Sequence, residues 1–386
     1  MVHSSSSDFL PVVLLIDSSR AVTGALNAIR HATGPLQTQF RFIYVVPSGS
    51  TARPLLEQDG YLVHELPFVE ISRRKAELLR YLPMLLLNGW RLHRLAKRSG
   101  AAIVHLNDFY NLTGYVAKLL SFGRLRVVTH VRFLPQSLPQ PFARTWRWFG
   151  EQFSDRVLCV SEAVRRYFGA HYKVQVVFDP IPGKEQYLAP VVPNIRLDNT
   201  VQLLYLSNYI QGKGQDLAVR AFQRAYIQND RLRLTFVGGD MGMVKNREFR
   251  QKLQDFVQAN DLTDIVRFEG FVSDVEKVVK EADILLNFSE SESFSLTCLD
   301  ALYFGTPLIA SDCGGPSELF EHRHSGWLVP NRDIAAMATA ITTLAADATM
   351  RTRFAAAGRK FVRYKFRPAA TYEKLGQVYR EVIASR

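Results

Sequence analysis

Cysteine is scarce in this 386-residue chain, which has only Cys159, Cys298 and Cys313. An odd count at these distances suits neither a disulfide framework nor the paired spacing of a zinc site. Three reduced, buried thiols in a cytosolic protein are expected instead. Long apolar runs are also missing. The first, Pro11 to Ile16, stops at Asp17 and follows no basic segment, so it is too short for a signal h-region. No other run approaches the roughly 20 apolar residues of a bilayer span, which leaves peripheral contact as the one route to a membrane. Acidic residues are sparse in the first half. Residues 1–190 hold 13 Asp and Glu against 23 Lys and Arg, a net +10 out of +12 for the whole chain. No recognised nucleic-acid module accompanies this charge, and nucleic acid is not expected as a partner. An anionic membrane surface or a phosphorylated acceptor would be attracted to such a half; a solvated basic face without a partner is the plain alternative.

What the chain does have is an ordinary globular balance, with 47% hydrophobic and 22% charged residues, which excludes disordered and fibrous classes. Its length calls for two domains. Short, wholly apolar runs alternate with helical stretches. Pro11–Asp17, Arg41–Val46, Ala102–Leu106, Arg126–Thr129, Arg156–Val160 and Val174–Phe178 read as strands buried on both faces, the signature of a parallel sheet. Asn111–Leu120 and Ser161–Phe168 read as helices, the latter capped by Ser161. The pattern breaks at Ala189–Asn194, a segment with two prolines that reads as a linker. It then restarts with Val201–Leu206, Leu232–Val237, Ile265–Phe268, Asp283–Phe288 and Pro307–Ala310. Two rounds of this alternation predict two doubly wound α/β domains, with ligands at the carboxyl ends of their strands and the default site in the cleft between them. The expected bounds are 1–190 and 191–367, followed by a C-terminal helix over 368–386 that packs back on the first domain.

The most informative segment runs from Asn287 to Val329. A strand end and a short polar loop lead into a helix near Ser295–Phe304, which places free backbone N–H groups where an anion would sit. Glu292 and Asp300 bracket that point. With Phe294, Leu296, Ala301, Gly305, Pro307, Gly314, Gly315 and Glu318, this segment resembles the signature of the family 4 retaining glycosyltransferases of GT-B fold. The stretch Leu204–Phe222, with Lys213 between two glycines, resembles the first strand-loop-helix of that family's donor domain. Val127–Leu134 resembles the turn that carries a histidine, here His130. Thr23-Gly24-Ala25 retains part of the family's N-terminal glycine-rich turn.

The resemblance implies a GT-B fold: two facing Rossmann-like domains, acceptor-binding first and donor-binding second. It implies a retaining transfer of a sugar from a nucleotide-diphosphate sugar to a glycan or lipid-linked acceptor, in bacterial surface polysaccharide or glycolipid synthesis, with no cofactor and no metal. His130, Glu292 and Lys213 would carry the chemistry. Lys213 and the amides around Ser293, Phe294, Ser295 and Leu296 would face the diphosphate, where charge develops as it leaves. Glu292 would hold a hydroxyl of the sugar, Asp300 the ribose, and Gly270-Phe271-Val272 the base. Thr23, Gly24, His130 and Arg132 would lie on the acceptor side. Two positions depart from the pattern. An arginine usual in the family falls at Ser207 or Asn208, and Asp300 is one methylene shorter than the usual glutamate. These departures keep open a second reading, a non-catalytic GT-B relative acting as a binding partner in an assembly complex.

The same residues have plainer readings. Glu292 can be a solvated loop carboxylate, Lys213 a surface lysine beside a turn, Asp300 a complement to a helix dipole, and His130 a satisfied core group. Residues 71–98 mix cationic groups with Leu85, Leu86, Leu87 and Trp90. That suits a basic amphipathic helix on an anionic membrane, or a helix burying its apolar side; Pro83 is expected to split it in two. Leu134–Trp148, with three prolines, is expected as a loop lining the acceptor or closing as a lid.

Overall fold

The computed structural model describes residues 10–69, 75–181 and 198–385, with backbone alone for 75–78. The expected linker at Ala189–Asn194 lies outside the described residues. The chain divides into two units. One comprises Met1–Pro180 together with Pro368–Arg386, the other Ile181–Arg367.

The first unit runs β1 (Val12–Ile16), α1 (Gly24–Thr33), β2 (Arg41–Pro47), α2 (Arg53–Gln58), β3 (Leu62–Leu66), α3 (Lys75–Ser99), β4 (Ala101–Leu106), α4 (Thr113–Leu120), β5 (Arg126–Val131), α5 (Gln140–Phe153), β6 (Arg156–Cys159), α6 (Glu162–Phe168) and β7 (Val174–Val176). Its sheet has the order β3-β2-β1-β4-β5-β6-β7, parallel throughout. The period of two along β1 explains why every residue is buried. Val13 and Leu15 join one core cluster, while Val12, Leu14 and Ile16 join another on the opposite face. Helices α3 and α4 cover the second face. Gly89 makes their close approach possible, because a Cβ there would lie 2.3 Å from a methyl of Val116.

The second unit runs β8 (Val201–Leu206), α7 (Gln215–Tyr226), β9 (Leu232–Val237), α8 (Val244–Ala259), β10 (Val266–Glu269), α9 (Val275–Glu281), β11 (Ile284–Asn287), α10 (Leu296–Phe304), β12 (Leu308–Ser311), β13 (Trp327–Val329), α11 (Ile334–Ala346) and α12 (Ala348–Lys365). Its sheet is again parallel, in the order β10-β9-β8-β11-β12-β13. The last helix, α13 (Pro368–Ala384), belongs to the first unit. Its Tyr379 is fully buried, with its ring 5.3 Å from Phe40 and its hydroxyl 2.6 Å from Nδ1 of His105. The three cysteines are free and buried, and burial raises each thiol's pKa, that of Cys313 to about 12. Among the described residues no helix is long and apolar enough to cross a membrane.

Two local expectations are corrected. Helix α3 is continuous through Pro83. The proline removes one intrahelical hydrogen bond, but its ring is exposed, and the helix is held by a buried face of Asn88, Gly89, Leu92 and Ala96. Residues 134–148 are not an open loop. A short 3-10 turn, Pro135–Ser137, leads into α5, where Pro139 and Pro141 occupy the cap and first turn, places that need no N–H donor.

Both sheets reverse their strand order once, between β1 and β4 in the first unit and between β8 and β11 in the second. The carboxyl ends flanking such a reversal leave a crevice where adjacent connections part to opposite faces.

Candidate functional site

In the second unit the crevice is built by two loops, Ser207–Gly214 after β8 and Phe288–Ser295 after β11. Tyr205, on β8, ties them together. Its buried hydroxyl accepts from the Phe288 amide at 2.8 Å and donates to the Lys213 carbonyl at 2.5 Å. The Glu290 amide donates to the Gly212 carbonyl at 2.9 Å. The loops touch so closely that Gly214, at φ 80°, admits no side chain. A Cβ there would lie 2.0 Å from the Phe288 carbonyl oxygen.

This contact brings Lys213 to Glu292. The ammonium lies 2.7 Å from Oε1 of the carboxylate, and the Ser289 hydroxyl donates to the same oxygen at 3.0 Å. The Glu292 backbone is pinned as well. Its carbonyl accepts from the Gly315 amide at 2.8 Å, and it bridges to Gly314. Gly315 is obligatory here, since a Cβ would meet the Ser293 carbonyl at 2.3 Å. The Lys213 side chain is 33% exposed and that of Glu292 15%, so the cation remains within reach of a ligand while its partner is largely enclosed.

Four residues on, α10 begins. Ser295 stands at φ 77°, a left-handed conformation that favours glycine, and its hydroxyl accepts from the Cys298 amide at 3.4 Å and from Asn287 at 3.2 Å. The amides of Leu296 and Thr297 lead the helix and have no acceptor among the described residues. They form an anion-seeking end of the kind a helix dipole reinforces. One turn further, Asp300 is half-buried with no hydrogen-bond partner among the described residues. Burial alone raises its pKa to about 7.

Asn208 has its side-chain oxygen engaged. Its Oδ1 accepts from the Gly239 amide at 3.1 Å, fixing the end of β9 against the end of β8. Tyr209 extends the tie, its amide donating to the Gly239 carbonyl at 3.0 Å and its hydroxyl to the Glu269 carbonyl at 3.3 Å. Beyond Glu269 come Gly270, Phe271 and Val272. Phe271 is 78% exposed, an aromatic face open to stacking.

The sequence-derived residues of the first unit form a different cluster. Thr23 caps α1, accepting from the Leu26 amide at 3.2 Å, and Gly24 opens that helix. His130, at the end of β5, is 2% exposed, and burial beside Arg132 pushes its pKa well below the ordinary histidine value, so the ring is neutral. Arg132 is paired with Asp179 at 2.5 Å and donates to Asn107 at 2.6 Å; Asn107 in turn donates to Asp17 at 2.6 Å. These charges are bound to one another in the interior. Sequence reading missed Tyr205 and Ser289. Tyr205 reads as an apolar strand residue, and only the fold shows where its hydroxyl ends. Ser289 belongs to a polar loop whose serines look alike in one dimension.

Two family models match the chain, "Glycosyl transferases group 1" over residues 193–361 and "Glycosyltransferase Family 4" over residues 39–180. Among curated proteins, the chain is 24% identical over 329 residues to N-acetyl-alpha-D-glucosaminyl L-malate synthase of Bacillus anthracis, covering 82% of this chain and 84% of that protein. It is 32% identical over 199 residues to alpha-1,3/1,6-mannosyltransferase ALG2 of Homo sapiens, covering 48% of this chain and 47% of that one. Among solved structures, Anabaena Alr3699/HepE in complex with UDP-glucose superposes with a TM-score of 0.79 at 17% identity, over 96% of this chain and 99% of that one.

Proposed function

The chain belongs to the family 4 glycosyltransferases, with the GT-B fold of two Rossmann-like units, and on that premise we propose how its second unit handles a donor. The donor is a nucleoside diphosphate sugar. Its diphosphate meets the Lys213 ammonium and the leading amides of α10, groups placed in advance where negative charge grows as the sugar departs. Glu292 accepts a hydrogen bond from a hydroxyl of the transferred sugar. Its bond to Lys213 orients both the carboxylate and the ammonium before the donor arrives. Asp300, without a protein partner, takes the ribose hydroxyls. Phe271 and its neighbouring backbone take the base. Lys213 supplies the positive charge that a metal would otherwise bring, so the reaction proceeds without one, and with retention at the anomeric carbon as in the family.

The acceptor is a glycan or a lipid-linked molecule of a bacterial surface polysaccharide or glycolipid, reached by a cytoplasmic protein lying on the inner face of the membrane. The observation that carries the donor reading is the Lys213–Glu292 pair at 2.7 Å, which joins the loop after β8 to the loop that leads into α10.

A thermal-shift panel of UDP-, GDP- and ADP-sugars tests it, because a ligand that binds only the folded state raises the melting temperature. UDP-glucose heads the panel, being the ligand of the similar Anabaena structure. A clear rise with one nucleotide sugar, lost in Lys213→Ala, is expected; no rise with any of them removes the donor site. One feature favours a second reading, a non-catalytic partner in an assembly complex. The family's arginine position is Ser207-Asn208, neither of them cationic, and the Asn208 Oδ1 accepts from Gly239. Binding of a nucleotide sugar with no turnover, neither hydrolysis nor transfer, would select that reading.

A further inference from the structure

The Lys213–Glu292 pair is not held by its own two side chains alone. Buried hydroxyls converge on it from Tyr205 on β8, Ser289 after β11 and Ser311 at the end of β12. Hydroxyls enclosed in this way spend their protons on protein acceptors, and here those acceptors can be assigned one by one.

Tyr205 comes first. Its ring packs against Phe236 and Phe288, with centroids 5.6 and 6.4 Å away, which fixes the place of its hydroxyl. Burial raises the pKa of the phenol, against the opposing bond from Phe288, so the group keeps its proton. The Phe288 amide donates to the phenol oxygen, and the phenol proton goes to the Lys213 carbonyl at 2.5 Å. Ser289 has one proton and two acceptors within reach, Oε1 of Glu292 at 3.0 Å and the Lys213 carbonyl at 3.3 Å. The carboxylate is the nearer and the stronger acceptor, and Tyr205 already supplies the carbonyl. The Ser289 backbone is pinned on both sides. Ser311 donates to its carbonyl at 2.7 Å, and its amide donates to Oδ1 of Asn287 at 3.3 Å.

The carboxylate that results is unequal. Oε1 of Glu292 accepts from the Lys213 ammonium at 2.7 Å and from Ser289. Oε2 has no hydrogen-bond partner among the described residues. Each oxygen of an ionised carboxylate has room for about two donors, so Oε1 is filled and Oε2 is left to accept.

We propose that Tyr205 and Ser289 are positioning residues, which turn Glu292 so that Oε2 faces a hydroxyl of the donor's sugar. Tyr205 acts through Ser289. By occupying the Lys213 carbonyl, it commits the serine proton to Oε1. Without the phenol, the serine hydroxyl swings to that carbonyl, and the carboxylate, held by Lys213 alone, is free to rotate. This role rests on the donor reading and names the residues that aim its sugar contact.

Calorimetric titration of the full-length protein tests it. The probes are UDP-glucose, GDP-mannose and ADP-glucose, each beside its parent diphosphate, so that the sugar is read apart from the nucleotide. Ser289→Ala and Tyr205→Phe should each weaken the bound nucleotide sugar about three- to tenfold, the worth of one hydrogen bond, and leave its diphosphate unchanged. The double variant should lose no more than Ser289→Ala alone, because both changes act on one serine proton. General loosening of the loops weakens both ligands alike, so equal losses for sugar and diphosphate overturn the positioning role. Losses that multiply in the double variant overturn the action of Tyr205 through Ser289. Ser289→Ala leaves both Tyr205 bonds in place and carries the test by itself if Tyr205→Phe fails to fold. Wild-type protein that binds none of the six probes overturns the donor reading and this role with it. Wild-type binding matched by the variants overturns this role alone.

Discussion

The two units solve one topological problem with opposite chemistry. Each is a parallel sheet whose order reverses once, and each opens a crevice at the strand ends beside that reversal. In the second unit the crevice is lined by glycines, serines, a lysine and a glutamate, and at Gly214, Gly238 and Gly315 the backbone packs on backbone so closely that a Cβ would clash. In the first, bulky side chains such as Phe68, Tyr110 and Trp146 line a cavity instead. Topology therefore sets where a ligand binds, and loop composition sets what kind. Close backbone contact suits a highly charged, hydrogen-bonding ligand. Side-chain walls suit an apolar one.

The comparison can be broken most directly at Lys213. Lys213→Ala should lower kcat by about 10²–10³-fold, the usual loss when one preorganised group is taken from developing charge. Steady-state kinetics with the donor identified by thermal shift would show it, and an unchanged kcat would place the diphosphate elsewhere. Next comes the backbone contact itself. Gly214→Ala forces a Cβ against the Phe288 carbonyl at a positive φ and should cost about 2–3 kcal/mol in denaturant unfolding. A neutral result would mean that the loops do not meet as described. Glu292→Gln keeps the shape of the side chain but weakens the bond to Lys213. A loss of about tenfold in kcat/KM is expected, in line with a charged hydrogen bond reduced to a neutral one.

The smallest effect sharpens the comparison, because each crevice holds a carboxyl with a raised pKa. Asp300 is pushed up to about 7 by burial. Asp108 is pushed up to about 6, first by burial and then by the charge of Asp17, against the opposing bonds from Tyr110 and Ser18. The unfolded chain releases each proton near about pH 4, while the folded chain holds it longer. Stability is therefore fully present below about pH 4 and is lost as pH rises, through about 6 for Asp108 and about 7 for Asp300. Melting temperature measured against pH should flatten between about 4 and 7 in Asp300→Asn, and between about 4 and 6 in Asp108→Asn. Identical windows for the two variants would show that the crevices differ less in solvent access than their linings imply.

Much of the second crevice is legible in the residue order. Glu292, Asp300 and the Gly314-Gly315 pair lie within one short stretch, and a strand, loop and helix follow from the change of period around them. Lys213 is announced by its flanking glycines. The same approach missed Tyr205, because a buried strand tyrosine looks like any core aromatic until its hydroxyl is seen to bond both Lys213 and Phe288, the latter 83 residues away. Asn208 is a donor-side expectation of the family resemblance, and the structure adds that its Oδ1 holds the Gly239 amide. Around the first crevice sequence reading expected a broken helix at Pro83 and a loop over 134–148, and both are helical. Local proline rules were outweighed by the buried face of α3 in one case and satisfied by the first turn of α5 in the other.

Hydrophobic periodicity by itself determined that this chain forms two parallel α/β sheets, because strands apolar on both faces have no other stable home. Residue types at the strand ends determined that the second sheet would carry charge and close-packed backbone. Only the tertiary structure decided which residues meet: the lysine on its glutamate, the tyrosine between two loops, and the apolar walls drawn from α3 and α5 around a cavity. These contacts join positions tens of residues apart, and no local preference encodes a distance that depends on how whole layers pack.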